Sequence, residues 1–211
     1  TVLQYANSGD SPQGDKQQVV GYGAVMFWRH QPLALSSQQR ETLLALAREA
    51  IAEQLKTGRI PDYKTDDAVL TRRAGAFVTL KQKGELRGCI GHLKADKPLY
   101  RVVQEMAVDA ATSDPRFPPL KAEELSQVKI EISVLSPMRR ISNPQQVEVG
   151  THGLMIFKGG KQGVLLPQVP VEERWNREEF LQGLCRKAGL PAGCWREGAA
   201  LYAFTAVVFG E

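Results

Sequence analysis

The sequence predicts an α+β fold: a mainly antiparallel sheet with flanking helices. Three observations lead there. Helical stretches and hairpin-like strand pairs are mixed without the regular strand–helix–strand units of a parallel sheet. Residues 128–135 alternate apolar and polar side chains, as a half-buried strand does. Glycine turns at Lys83-Gly84 and Gly159-Gly160 join runs short enough to be hairpin strands.

In chain order, Val2–Ala6 reads as a strand, Asn7–Gln18 as a polar loop and Val19–Trp28 as strand-like. A strand pair of this size buries no core of its own. Residues 1–30 are therefore expected to be a separate piece that docks elsewhere, with the main domain at 31–211. The first residue is threonine and strand-like residues follow at once, so the chain is expected to begin inside a longer sequence.

Leu33–Gly58 reads as the first helix. Ser36 and Gln39 form a capping box, Leu43, Ala47, Ala50 and Ile51 recur at helical spacing, and Gly58 then Pro61 stop it. Ala74–Lys81 and Leu86–Leu93 form a hairpin. Pro98–Ala111 is the second helix, with Asp96 as its N-cap. Prolines 115, 118 and 119 stiffen the loop after it, and Val128–Leu135 is the alternating strand. Gly153–Lys158 and Gln162–Leu166 pair through the second glycine turn. Asn176 with Glu179 opens a helix that ends at Gly189, and Leu201–Phe209 is read as one closing strand.

The 211 residues are 43% hydrophobic and 24% charged, ordinary for a globular chain. No apolar run approaches the ~20 residues that cross a bilayer, and the opening is not the basic-then-apolar pattern of secretion, so no membrane association and a cytoplasmic location are expected. The net charge is +4, but Arg72-Arg73 and Arg139-Arg140 are the only adjacent arginines. A nucleic-acid surface normally shows a clustered basic stripe, so nucleic acid is a third-rank partner. The cysteines, Cys89, Cys185 and Cys194, are sparse and irregularly spaced. That argues against a disulfide framework and for a reducing compartment.

Residues 84–92, Gly-Glu-Leu-Arg-Gly-Cys-Ile-Gly-His, carry the chemistry. In a regular strand Arg87 and Cys89 share one face, and Leu86, Gly88, Ile90 and His92 the other. A guanidinium beside a thiol favours the thiolate. Gly88 and Gly91 clear room for a ligand or a second backbone. His92 cannot reach the sulfur unless a bulge shifts the register, so the partner imidazole is expected from His152, in a loop leading into a strand. Cysteine plus histidine is the minimum for an activated thiol nucleophile. The plainer alternative is a small, buried, inert side chain. Asp114 and Arg116 either bind a polar substrate and orient His152, or make a local Asx turn with the arginine on the surface. Cys89-x-x-His92 lacks two further ligands for zinc, and no metal or cofactor is expected. Gly159–Gly163 lacks the order of a phosphate loop.

These segments also resemble a known family. Leu86-Arg87-Gly88-Cys89-Ile90-Gly91, Ser113-Asp114-Pro115-Arg116-Phe117-Pro118-Pro119, Gly150-Thr151-His152-Gly153 and Leu165-Leu166-Pro167-Gln168-Val169 are similar to ordered motifs of the AMMECR domain family, over residues ~31–211. The resemblance implies a compact α+β protein with two subdomains and a cleft. It marks Arg87, Cys89, Asp114, Arg116 and His152 as the key polar positions, without a reaction or substrate. Leu3–Asp10, Gly14-Asp15-Lys16 and Val19–Tyr22, within residues 1–28, resemble the C-terminal tail of a Memo-like domain. That resemblance implies a Memo-like domain in the same polypeptide and a radical SAM enzyme as partner. The Memo-type metal ligands would lie upstream of this tail.

The leading expectation is an uncharacterised AMMECR-domain protein that acts on or binds a small molecule. In its enzyme version Cys89 is the nucleophile, His152 its base, Arg87 the thiolate partner and Asp114 an orienter; Arg116, Gly88 and Gly91 serve binding. The rival is a non-catalytic module that docks a partner or presents a substrate.

Overall fold

The structure is a computed structural model and describes residues 2–7, 21–25 and 34–211. Two units separate, residues 1–30 and 31–211. In the first, β1 (Val2–Asn7) and β2 (Gly21–Val25) pair antiparallel, with Tyr5 opposite Gly23. Beyond Asn7, the polar loop expected through Gln18 lies outside the described residues, as do the rest of Val19–Trp28 and Leu33.

The second unit starts with α1 (Ser37–Thr57). The Ser36 hydroxyl accepts from the Gln39 amide at 3.2 Å, and Gln39 Oε1 accepts from the Ser36 amide at 3.0 Å. Both otherwise orphaned donors are satisfied, as the spacing predicts. Gly58 ends the helix at φ 74°, a left-handed conformation that costs glycine little. The chain continues through β3 (Ala76–Gln82), β4 (Glu85–His92), α2 (Leu99–Thr112), β5 (Val128–Leu135) and β6 (Arg139–Ile141). Then come β7 (Gly153–Lys158), β8 (Lys161–Leu165), the short α3 (Val169–Glu172), α4 (Arg177–Lys187), β9 (Ala200–Phe204) and β10 (Ala206–Gly210).

Two antiparallel four-stranded sheets result, in the orders β10-β5-β3-β4 and β6-β9-β7-β8. Alternation sends Val78, Leu80, Ile130 and Ile132 to one face of the first sheet, where they form a core with the α1 and α2 stripes. Leu43, Ile51, Leu99 and Val103 are sealed from solvent there, each worth about 1.5–3 kcal/mol relative to exposure. A second core joins α4, through Phe180 and Leu184, to Leu154, Ile156 and Leu201 of the second sheet.

Four sequence expectations need correction. The closing strand is two strands in different sheets. It breaks at Thr205, whose amide donates to the Ser136 hydroxyl and whose carbonyl accepts from the Ser136 amide, both at 2.9 Å. The two passages between sheets are thereby tied side by side, and the unbroken apolar run 201–209 hides the break. Asp96 does not cap α2, which starts after Pro98 without a side-chain cap; its carboxylate is held by His92 Nε2 at 2.6 Å. Cys185 and Cys194 form a disulfide inside the second core. Left-handed turns at Gly189 and Gly193 fold the chain back so that the Cα atoms lie 5.9 Å apart, which linear spacing does not reveal. The fourth correction concerns the face on which Arg87 lies.

Candidate functional site

The hairpin turn at Lys83-Gly84 sets the start of the β3–β4 ladder: Gln82 pairs with Glu85 and Lys81 with Leu86. Undisturbed, that register would set Cys89 opposite Val78, on the face packed by helices. Instead the register shifts between Leu80 and Lys81, so that Leu80 pairs with Gly88 and Thr79 with Cys89. Arg87 is the extra residue of a β-bulge, which reverses side-chain parity beyond it. Cys89 consequently leaves the core face and joins Phe77, Thr79, Lys81 and Glu131 on the other side of the sheet.

Arg87 does not follow it. Its guanidinium donates to the Pro118 carbonyl at 2.9 Å and reaches both Glu124 oxygens, at 3.3 and 3.2 Å. The expected pairing of Arg87 with the thiol fails because the bulge falls between the two residues. Gly88 lies against α2, where a Cβ would be driven into the Ala110 carbonyl oxygen; a Cβ on Gly91 would enter the Phe77 ring. Both glycines thus serve close packing.

The cation beside Cys89 is Arg116. The turn after α2 buries Asp114, 5% exposed, and its carboxylate accepts from the Cys89 amide at 2.8 Å and from the Arg116 amide at 3.1 Å. Arg116 answers with two charge-assisted bonds to that carboxylate, at 2.9 and 2.7 Å, and one from Nη2 to the Cys89 carbonyl at 3.2 Å. Both backbone polar groups of Cys89 are held by this one ion pair. The Arg116 hydrogen bonds hold the Asp114 carboxyl well below the usual carboxylate range, against the opposing effect of burial and with help from the Cys89 and Arg116 amides.

The Thr79 hydroxyl donates to the Cys89 sulfur at 3.2 Å. Burial pushes the thiol above its ordinary value; the Thr79 bond and Arg116 pull it down, while Asp114 and Glu131 push it up. Burial prevails in this balance, so the surroundings disfavour the thiolate. His152 precedes β7, with its Nδ1 accepting from the Glu148 amide at 3.0 Å. It is not among the residues that line the cavity holding Cys89, and the sulfur's hydrogen-bond partner is a threonine, not an imidazole.

That cavity encloses about 820 Å³, within the range of small-molecule sites. Residues of β3, β4 and β5 form one wall, and Gln162–Leu166 with Gln168 and Val169 another. Lys81 and Glu131, on adjacent strands of the first wall, pair at 2.9 Å. Gln168 Oε1 is buried and has no hydrogen-bond partner among the described residues. Sequence reasoning missed Thr79, Lys81, Glu131 and Gln168. Alternation along β3 puts the first two on one face, but only the bulged register brings that face to Cys89.

The AMMECR1 family profile matches residues 44–209. The chain belongs to the AMMECR1 family. A protein of Methanopyrus kandleri is 43% identical over 187 residues, covering 84% of this chain and 90% of that one. One from Methanothermobacter thermautotrophicus is 44% identical over 187 residues, covering 84% and 96%. The crystal structure of an uncharacterized protein from Pyrococcus horikoshii, 44% identical, covers 81% of this chain and 90% of its own with a TM-score of 0.77. None of these names states an activity, so the AMMECR1 match fixes family and fold, and the chemistry must be argued from the site.

Proposed function

We propose that this AMMECR1-family domain binds a small polar molecule in a cleft whose floor is Cys89. The observation that carries the reading is the Asp114–Arg116 pair gripping both backbone groups of Cys89. An ion pair anchored on a buried carboxylate and directed at one residue's main chain fixes that residue's position, which is what a ligand-contacting side chain needs. The unpartnered Gln168 acceptor supports a ligand with a donor, since buried polar atoms rarely go unpaired. Lys81, Glu131 and Arg116 add charged groups for a polar substrate or a modified side chain.

A second reading, nucleophilic catalysis by Cys89, is favoured by the Thr79 hydroxyl and Arg116, which both stabilise the thiolate. In that reading His152, which does not line the cavity, cannot serve as the base from its present position, and Arg87 acts only through Glu124 and the Pro118 loop. Iodoacetamide labelling against pH decides between the two. A midpoint above the ordinary thiol value of about 8.5 supports binding without an activated thiolate; one well below it supports catalysis and sinks the first reading. Protection of Cys89 from labelling by a fractionated metabolite extract, lost in Gln168→Leu, would identify the ligand.

The resemblance of residues 1–28 to the tail of a Memo-like domain suggests a further reading, in which a Memo-like domain shares the polypeptide and a radical SAM enzyme works beside it. Their absence from native-cell co-purification would remove it.

A further inference from the structure

A second cavity, of about 600 Å³, is lined by residues the proposed function does not use. Leu135, Pro137, Met138 and Met155 give it an apolar wall. Arg72, Arg73 and Lys94 also line it and are exposed, which puts them at its mouth. Against these three cations stands one acid on the lining, Asp96, and His92 Nε2 already holds its carboxylate at 2.6 Å. Among the described residues no side chain of Arg72, Arg73 or Lys94 makes a hydrogen bond or ion pair. Like charges gathered at an apolar mouth repel one another unless an anion sits between them.

The arginine pair is also presented rigidly. Asp67 Oδ1 accepts from the Val69 and Leu70 amides at 2.8 and 3.1 Å, fixing the turn that precedes it. The Arg72 carbonyl accepts from the Leu99 amide at 2.9 Å, and Arg73 bridges to Pro98. At the base of the cavity Gly75 is irreplaceable, because a Cβ there would lie 2.6 Å from the His92 carbonyl oxygen.

We propose that this cavity is a separate binding site for an organic anion with an apolar body: a carboxylate, phosphate or sulfonate head held by Arg72, Arg73 and Lys94, with the hydrocarbon against Met138 and Met155. The site does not depend on what the Cys89 cavity binds, although Gln162 lines both.

The test uses 1-anilinonaphthalene-8-sulfonate, an apolar anion that fluoresces when desolvated, with the full chain. Saturable one-to-one binding is expected. It should weaken by about tenfold or more in the double variant R72Q/R73Q, as expected for losing charged hydrogen bonds, be blocked in Met155→Trp, and be unchanged in Cys89→Ser. Octanoate or octyl phosphate should displace the dye, their relative potency identifying the head group, whereas 1-octanol should not. Absence of saturable binding, equal affinity in R72Q/R73Q, equal loss in Cys89→Ser, or displacement by 1-octanol overturns the proposal. If the double variant is unfolded by circular dichroism, Lys94→Gln is judged by the same criterion.

Discussion

Removing the Asp114 carboxylate should loosen the site and the fold together. Asp114→Ala deletes the acceptor for two backbone amides, those of Cys89 and Arg116. A buried donor left unpaired costs about 1–3 kcal/mol. The Cys89 amide has no other partner in that position, whereas the Arg116 amide belongs to a turn that water can reach. The Arg116 side chain is 52% exposed, so its freed guanidinium is rehydrated and the ion pair itself adds under about 1 kcal/mol. The expected loss is about 1–4 kcal/mol, and about 1–2 for Asp114→Asn, which keeps a neutral acceptor. Urea unfolding measures it as a lower midpoint at unchanged slope. The pH dependence has a definite sign. A carboxylate held below its unfolded value contributes stability fully above about pH 4, and that contribution is lost as pH falls further. The wild-type advantage over Asp114→Asn should therefore shrink below about pH 4. If Asp114→Ala unfolds within about 0.5 kcal/mol of wild type, and Cys89 labels at an unchanged rate, the bracing argument is wrong.

Three further outcomes are expected. Arg116→Gln should raise the iodoacetamide midpoint of Cys89, because it removes a cation that pulls the thiol down, whereas Arg87→Gln should leave it unchanged; the reverse order would restore the pairing expected from strand parity. Gly88→Ala should cost more in thermal melting than Gly91→Ala, since the first Cβ meets the Ala110 backbone of α2 and the second meets a side-chain ring that can shift. Replacing Cys185 and Cys194 together by alanine should lower stability by about 2–3 kcal/mol in chemical denaturation, the chain-entropy value for so short a ring; no loss would mean that core packing holds α4 without the crosslink.

The legible parts of the fold are those in which a local rule and the tertiary structure agree. The boxes at Ser36–Gln39 and Asn176–Glu179 cap helices as their spacing predicts. Both glycine turns join the expected strands, and Val128–Leu135 is a strand from end to end. Expectation fails where a distant partner overrules the local signal. Asp96 is a good N-cap residue, but His92 on the preceding strand takes its carboxylate. Thr205 looks like mid-strand, but Ser136 captures both of its backbone groups. The disulfide depends on two successive left-handed glycines, which reverse the chain between cysteines whose spacing suggests nothing.

The site follows the same logic. Family motifs and chemistry selected Cys89, Asp114 and Arg116 from the sequence, and the structure brings those three into hydrogen-bonded contact. What sequence could not supply was the direction of the thiol, because side-chain direction in a strand follows from counting, and one inserted residue inverts the count. The motif Arg87-Gly88-Cys89 therefore has a purpose different from the one its composition suggests. Arg87 is drawn to the helix side by Glu124 and the Pro118 carbonyl. Gly88 stays on that side as well, because α2 passes too close for any side chain. Two consecutive residues on one face force a bulge, and the bulge sends the next residue to the other face. On this account arginine and glycine do not activate the sulfur; they expel it from a hydrophobic core that would otherwise enclose it beside Val78. The ionisation of the thiol is then left to Thr79 and Arg116, side chains brought to it by the neighbouring strand and by the turn after α2.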